Sequence, residues 1–319
     1  MNRCPLPPYP NGWFRVAFSD EAPAGTVKSV TYFGRDLIIF RGEDGIAHVL
    51  DAYCAHLGAH LGEGGRVVGN TIRCPFHGWC YDGEGRCVEI PNAQKIPPRA
   101  RVRGWPAREV NGVILVYHHA EGKPPEYDIP ALPEFGSKAW TSSEHFGCRM
   151  KTHIQETKEN IVDLAHFTAL HSGGFLEPPA LISWREEGPR LTIEARTTTK
   201  FLGFSTGSTL RFDMYGLGYQ IVHVDAAFQL KLLSVNTPID GDHIDFRFLI
   251  LMKKSKVPLV TQHLIQRVIA SRIMKETRED MRVWEHKKFH PQPVLSEADG
   301  PIMRLRKWMS QFYTLPEST

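Results

Sequence analysis

The first third of the chain alternates short apolar runs with turn residues. Runs rich in β-branched and aromatic side chains cover 13–18, 27–33, 37–41 and 46–50. Further pairs of runs flank glycine-containing turns at 82–85 and 111–112. Short strands separated by such turns are typical of a compact antiparallel domain. The pattern therefore predicts an all-β domain over the first third.

A proline-rich segment follows, with four prolines between residues 122 and 136. Proline interrupts both helix interiors and central strands, so this segment is expected to be a connector on the surface. We place the domain boundary near residue 120. The chain then divides into residues 1–120 and 121–319.

The second part mixes strand-like and helical patterns. A short strand is predicted over 143–151, followed by a helix over 154–170 that stops at Gly173 and Gly174. Five strand-like runs come next, at 190–200, 208–214, 219–224, 228–236 and 243–252. A long helix over 260–288, free of Pro and Gly, and a short one from 302 complete the chain. An antiparallel sheet packed by a long helix predicts an α+β fold.

Composition narrows the classes of function. The chain is 42% hydrophobic and 23% charged, with a formal charge of +3, and its Lys and Arg residues are dispersed. Neither a nucleic-acid binder nor a membrane span is indicated. The first residues lack the apolar stretch of a signal peptide, and the six cysteines show no paired framework. We therefore expect a cytoplasmic protein without structural disulfides.

Two short loops each carry one cysteine and one histidine. Cys54 and His56 form the first pair, and Cys74 and His77 form the second, seventeen residues further on. Mixed sulfur and nitrogen ligation suits zinc or a [2Fe-2S] cluster with histidine on one iron. Zinc sites more often take their cysteines from one close pair and their histidines from another. One of each per loop favours the cluster.

A second set of candidate ligands lies in the later part of the chain. Asp163 and His166 share a helix face, but His171 lies about 140° around an ideal helix from His166. The two histidines can reach one metal only if the helix widens or ends between them. Taken alone, two histidines on a helix are more often structural, and a site of the non-haem iron type would also need a carboxylate. Asp280 lies on the apolar stripe of the long helix, and Glu276 is the competitor.

These two motifs together resemble the Rieske non-haem iron oxygenases. The resemblance implies an N-terminal all-β Rieske [2Fe-2S] domain and a C-terminal helix-grip catalytic domain with an antiparallel sheet. It also assigns a role to each residue. Cys54, His56, Cys74 and His77 would bind the cluster, His166, His171 and Asp280 would bind a mononuclear Fe(II), Asp163 would bridge the two centres across a subunit boundary, and Asn160 would lie near the iron.

The resemblance also implies partners and co-substrates. Electrons from NAD(P)H would arrive through a flavin and iron-sulfur reductase or a ferredoxin, and O2 would be the co-substrate. Because the electrons cross between subunits in this family, a homotrimer is expected. No nucleic-acid or membrane partner is implied.

Within the family the chain resembles the branch of 3-ketosteroid 9α-hydroxylases and sterol 7-desaturases. The likeness rests on Asn160, on segment 116–125, on Glu279 and Asp280 with Trp284, and on segment 307–313. It implies a monooxygenase that hydroxylates or desaturates a steroid-like apolar substrate. Two alternatives remain open: an aromatic substrate, with ring hydroxylation or O-demethylation, and a non-catalytic electron carrier. Nine apolar side chains could line a pocket for such a substrate: Phe175, Leu176, Leu181, Phe201, Phe204, Met214, Phe228, Phe246 and Phe248.

Overall fold

The computed structural model describes residues 4–171, 177–201, 204–226 and 228–314; for 199–201, 204 and 206 it describes the backbone alone. The chain forms two compact units. The N-terminal unit is Trp13–Ala131, and the C-terminal unit joins Met1–Gly12 to Leu132–Thr319. The boundary predicted near residue 120 remains a prediction. The compact units divide at residue 131.

The N-terminal unit is built from ten short strands among its described residues. They form an antiparallel sheet β2-β3-β4, an antiparallel sheet β5-β6-β7-β8 and a three-stranded sheet β1-β10-β9. The strands are β1 Gly12–Phe18, β2 Val27–Tyr32, β3 Arg35–Arg41, β4 Ala47–Asp51, β5 Arg66–Val68, β6 Thr71–Arg73, β7 Cys80–Tyr81, β8 Cys87–Glu89, β9 Ala107–Val110 and β10 Val113–His118.

A hydrophobic core supports the two cysteine loops of this unit. Ile38, Leu50 and Tyr81 are fully buried there, and Cys54 and Cys74 belong to the same cluster of packed residues. Burial of this apolar surface is the main favourable term holding the short strands together. Both cysteines are therefore held in place by a packed core.

The C-terminal unit is dominated by one antiparallel sheet of eight strands in the order β11-β18-β16-β15-β14-β13-β12, with β17 paired to β18. Their bounds are β11 Glu144–Met150, β12 Ala180–Glu187, β13 Arg190–Phe201, β14 Phe204–Tyr215, β15 Tyr219–Asp225, β16 Gln229–Val235, β17 Thr237–Pro238 and β18 Ile244–Met252. The helices are α1 Ile154–Glu159, α2 His166–Ala169, α3 Leu259–Trp284 and α4 Ile302–Met309.

Helix α3 packs on the sheet through one face. Ala270 is fully buried against Phe248 and Ile250 of β18, and Ile269 and Ile273 pack beside them. The Gln266 side-chain amide donates a hydrogen bond of 2.7 Å to the Ile250 carbonyl, which holds the helix against the strand. The predicted α+β class, with an all-β first unit and a sheet-and-helix second unit, is confirmed.

The predicted helix over 154–170 is wrong in its middle. Helix α1 ends at Glu159, turns occupy the next residues, and the short α2 ends at Ala169. Gly300 packs closely on the interrupted segment, since a Cβ there would lie only 1.7 Å from the Val162 carbonyl oxygen. The chain at Val162 is thus closely packed by a distant segment. The predicted stop at Gly173 and Gly174 lies outside the described residues.

Two further features were not predicted. Strand β12 and the hairpin of β5 and β6 had no counterpart among the predicted strands.

Within the described parts of the chain, no helix is both long enough and apolar enough to cross a membrane.

Candidate functional site

The two cysteine loops of the N-terminal unit share one backbone arrangement. In each loop a glycine N–H, four residues after the cysteine, donates to the cysteine carbonyl: Gly58 to Cys54 at 3.0 Å and Gly78 to Cys74 at 3.2 Å. Both glycines have a positive φ, +72° and +74°, which other residues rarely adopt. The sequence thus folds two matching turns that present their side chains to a common point.

The side chains of these loops separate by type. The Cys54 and Cys74 thiols are buried side by side, and burial raises the pKa of Cys74. The Tyr81 hydroxyl lies 3.1 Å from the Cys54 sulfur. His56 and His77 are exposed, with ring centroids 4.7 Å apart. Two buried sulfurs and two outer imidazoles fit a [2Fe-2S] cluster with cysteines on one iron and histidines on the other.

Other nearby donors have different partners. The His60 Nδ1 accepts from the Gly62 N–H at 3.1 Å, so this ring supports its own loop. Arg73 Nε donates to the Cys80 sulfur at 3.3 Å, and Cys87 is buried. Trp79, beyond the second loop, stacks flat on the His56 ring at 4.5 Å and fixes its plane.

A second cluster of donors lies in the C-terminal unit. One ligand atom each from His166, His171 and Asp280 lies within 4.8 Å of the others. His166 begins α2, His171 follows its end, and Asp280 lies on α3. Because α2 ends at Ala169, the chain leaves helical geometry before His171. The two imidazoles can therefore lie close together, which a continuous helix would not allow.

The two imidazoles are held by neighbouring acceptors. His166 Nδ1 donates to the Asp163 carbonyl, and its Nε2 is buried with no hydrogen-bond partner among the described residues. His171 places Nδ1 2.9 Å from Glu279 Oε2 and Nε2 3.2 Å from Asp280 Oδ1. Burial lowers the pKa of His166. In His171 burial acts in the same direction, but the two carboxylates outweigh it and raise the pKa to about 9.

The carboxylate of the cluster is also oriented from outside. Asp280 is 7% exposed, and Asn160 Nδ2 donates to its Oδ2 at 3.3 Å. The competitor Glu276 is instead bound by Arg272, with Nε 3.0 Å from Oε1. The cluster therefore contains Asp280 and not Glu276.

This donor set fits a mononuclear iron. Two imidazoles and one carboxylate with open positions are the ligands typical of non-haem Fe(II) sites. The partnerless Nε2 of His166 supports the fit, since a buried polar atom without a partner is costly and a metal would remove that cost. Its Nδ1 bond to a carbonyl is the usual way of fixing a ligating histidine.

A cavity of about 380 Å³ adjoins this cluster. Asn160 and Asp280 form part of its wall, so the donor cluster borders the cavity directly. Volumes of this order suit small-molecule ligands. Most of the lining is apolar and comes from the sheet and α3: Leu210, Phe212, Val222, Val224, Phe228, Leu230, Leu232, Phe246, Phe248, Ile269, Ile273 and Trp284.

The candidates for an apolar pocket had mixed outcomes. Phe228, Phe246 and Phe248 line the cavity. Leu181 is 36% exposed and Met214 is buried outside the lining. Phe175 and Leu176, and the side chains of Phe201 and Phe204, lie outside the described part of the chain.

Sequence reasoning missed most of the cavity lining, including two polar side chains, and one residue beside the donor cluster. Lys158 and Gln220 line the cavity, and Glu279 binds His171. Glu279 was visible only as the neighbour of Asp280. Lys158 and Gln220 gave no signal, because a single lysine on a short helix and a single glutamine on a strand are ordinary surface patterns.

Family comparisons cover both units. Residues 12–106 match the Rieske [2Fe-2S] domain, and residues 116–313 match the 3-ketosteroid 9alpha-hydroxylase C-terminal domain. The chain belongs to the Rieske non-haem iron oxygenases. Its cluster loops and its two-histidine, one-carboxylate site lie in the two matched segments.

Similar proteins extend over nearly the whole chain. Cholesterol 7-desaturase nvd 1 of Ciona intestinalis is 35% identical, covering 97% of this chain and 70% of that protein. A probable 3-ketosteroid-9-alpha-monooxygenase, oxygenase component, of Rhodococcus rhodochrous is 33% identical, covering 96% and 80%. These relatives place the chain in the steroid branch of the Rieske oxygenases.

Solved structures of other Rieske oxygenases share the fold. NdmA of Pseudomonas putida CBB5 with caffeine has a TM-score of 0.78 at 20% identity, covering 93% of this chain and 89% of that chain. Dicamba monooxygenase bound to dicamba has a TM-score of 0.73 at 16% identity, covering 95% and 96%. At these identities the likeness concerns the fold.

Proposed function

We propose that this chain is a terminal oxygenase component that uses O2 and reductase-supplied electrons to hydroxylate or desaturate a steroid or sterol. The observation that carries the proposal is the apolar cavity whose wall includes Asp280 and Asn160. A substrate in that cavity would lie beside the donor cluster. The steroid relatives support the substrate class.

The ligand assignment is part of the proposal. Cys54, Cys74, His56 and His77 hold the [2Fe-2S] cluster in a domain of residues 1–120. His166, His171 and Asp280 hold a mononuclear iron in a domain of residues 121–319. When bound, that iron supplies the activation of dioxygen, with electrons received through the cluster.

The surrounding residues keep the ligands in place. The Asp163 carbonyl accepts a hydrogen bond from the Nδ1 proton of His166 and leaves Nε2 directed at the cluster of donors. Glu279 does the same for the Nδ1 proton of His171. Asn160 holds one oxygen of Asp280. Such partners usually affect metal affinity or activity about 10- to 100-fold.

Electron delivery needs partners. The exposed His56 and His77 leave the cluster site accessible to another protein chain. As the electron donor we propose a flavin and iron-sulfur reductase or a ferredoxin fed by NAD(P)H. We further propose that the chain works as a homotrimer in the cytoplasm. In that trimer Asp163 links a cluster histidine of one subunit to His166 of the next: its carboxylate accepts from the cluster histidine, and its backbone carbonyl accepts from His166 Nδ1.

Turnover with a steroid panel tests the function. The purified chain is combined with an NADH-dependent reductase, O2 and 3-oxo or 3-hydroxy steroids, and products are read by mass spectrometry. We expect a product 16 mass units heavier, or 2 lighter, and about three irons per chain. His166→Ala should remove about one iron and abolish product, because it deletes a ligand. His290→Ala, an exposed histidine, is the control.

Two results would contradict the proposal. Two irons per chain, unchanged in His166→Ala, would favour a non-catalytic electron carrier. Turnover of methoxybenzoates, without product from any steroid, would assign the chain to the aromatic alternative.

A further inference from the structure

One lysine is completely buried in the wall of the cavity. Lys158, on α1, is 1% exposed and lines the cavity together with Gln220 of β15. Its Nζ donates to the Gln220 side-chain carbonyl at 3.2 Å. Gln220 is itself only 5% exposed, so the pair is shielded from solvent by the protein.

The lysine lacks a charged partner. Among the described residues it takes part in no ion pair, and its bond to Gln220 uses one of the three N–H donors of an ammonium group. Burying a charge without a partner is costly. Burial accordingly lowers the pKa of Lys158 to about 7, and no carboxylate in the described part of the chain opposes the shift. The fold keeps this side chain at the expense of stability.

The lysine lies at one end of the sheet wall. Gln220 is opposite Ser234 on β16, and Ser234 is opposite Phe248 on β18. Antiparallel partners share a face, so successive rows of the wall can be followed along the strands. The next two rows are apolar, formed by Val222 with Leu232 and by Val224 with Leu230. Lys158, Gln220 and Ser234 thus make a polar end on an apolar cavity.

We propose that Lys158 is a specificity-determining residue whose Nζ donates a hydrogen bond to a carbonyl or hydroxyl oxygen of the substrate. The inference rests on the proposed function and narrows it: one oxygen of the steroid lies at the Lys158 end of the cavity. The apolar rows take the ring skeleton, and the polar end takes the oxygen. A site built around a buried donor discriminates against analogues that leave the donor unpaired.

A purely structural role makes a different prediction. If Lys158 served only to hold Gln220, its replacement would change affinity for all steroids alike. A role in recognition changes affinity only for steroids that carry the oxygen. The measurement must therefore compare ligands as well as variants.

Equilibrium dialysis of the holoprotein, without reductase, provides this comparison. The ligands are 5α-androstane, 5α-androstan-3-one and 5α-androstan-17-one, which share one skeleton and differ in the presence and position of a ketone. We expect wild type to bind at least one ketone about 10-fold more tightly than androstane. The preferred ketone identifies the end of the steroid that meets Lys158.

The decisive variant is Lys158→Met, with Lys158→Leu as a second apolar replacement should the first not fold. Either should reduce the ketone preference to less than about 3-fold by weakening ketone binding, with androstane affinity retained. Lys256→Met, an exposed lysine, is the matched control and should keep the wild-type preference.

The outcomes separate the inference from the function. A preference that survives in Lys158→Met, or is missing in wild type, overturns the role of Lys158 and leaves the steroid function standing. Failure of all three androstanes to bind wild type overturns both.

Discussion

The two histidine pairs of this chain are placed in opposite environments. His56 and His77 are exposed at the tips of two loops, whereas His171 is 5% exposed and His166 keeps a buried Nε2. The first site faces solvent, and the second faces a cavity. The difference matches the two tasks: an exposed centre can exchange electrons with another protein, and an enclosed one can hold an apolar substrate away from water.

The two sites also differ in how the chain assembles them. The cluster loops come from one segment, residues 54–77, and each loop is closed by its own glycine turn. The second site joins residues near α2 to Asp280 on α3, with the sheet strands β12–β18 between them in sequence. The first site therefore depends on local structure, and the second on the complete fold of its unit.

The largest expected effect separates the two sites altogether. Cys54→Ser should eliminate the visible absorption of the cluster and all turnover, because an iron loses a buried thiolate ligand, while about one iron per chain remains at the second site. Absorption spectra and metal analysis give both readings. Cys148→Ser, a half-buried thiol of the other unit, is the matched control and should keep the cluster. A normal spectrum in Cys54→Ser would show that the loops do not hold the cluster.

An intermediate effect tests whether the sites communicate through Asp163. Asp163→Asn should leave both metal contents unchanged and lower turnover about 100-fold, because a neutral amide accepts a weaker hydrogen bond from the cluster histidine than a carboxylate does. Asp242→Asn, an exposed aspartate of the same unit, should turn over normally. Rapid-mixing measurements of cluster reoxidation locate the defect. Reoxidation at the wild-type rate would refute the bridge.

The smallest effect concerns the stability of the enclosed region. The pKa of Lys158 falls by burial from 10.5 to about 7. Well below pH 7 both folded and unfolded states hold the proton, so the folded state bears the full cost. Between those values only the unfolded state binds it, and wild-type stability rises with pH relative to Lys158→Met. The melting-temperature advantage of Lys158→Met should therefore shrink by about 5 °C between about pH 7 and about pH 9.

Other titrating groups are common to both proteins and cancel in this difference. A melting-temperature difference that stays constant across the range would mean that Lys158 titrates as it does in solvent.

The local site was the more predictable of the two from sequence. The Cys-His loops have a distinctive spacing and lie between recognisable short strands, so their motif was legible without the fold. Helix α3 was also legible, since a stretch without Pro or Gly carries Ile269, Ile273 and Asp280 on one stripe. Each of these features can be recognised from residues that are neighbours in the sequence.

The missed features depend on distant contacts. Strand β12 is exposed at nearly every position, so it lacks the alternation that marks a half-buried strand. The break after α1 is packed by Gly300, far along the chain. Lys158 becomes significant only when the sheet places Gln220 against it. None of these relations leaves a periodic pattern in the sequence.

Helix α3 carries both the carboxylate of the donor cluster and part of the cavity wall. Ile269, Ile273 and Thr277 line the cavity on the same helix as Asp280. At about 1.5 Å per residue, Ile269 and Asp280 are about 16 Å apart along the axis. If the cavity holds a rigid substrate, as proposed, the position of that substrate along α3 decides which of its carbons lies beside Asp280. A bulkier or smaller side chain at Ile269 would then shift the substrate along the helix, and with it the proposed position of attack, without changing a metal ligand.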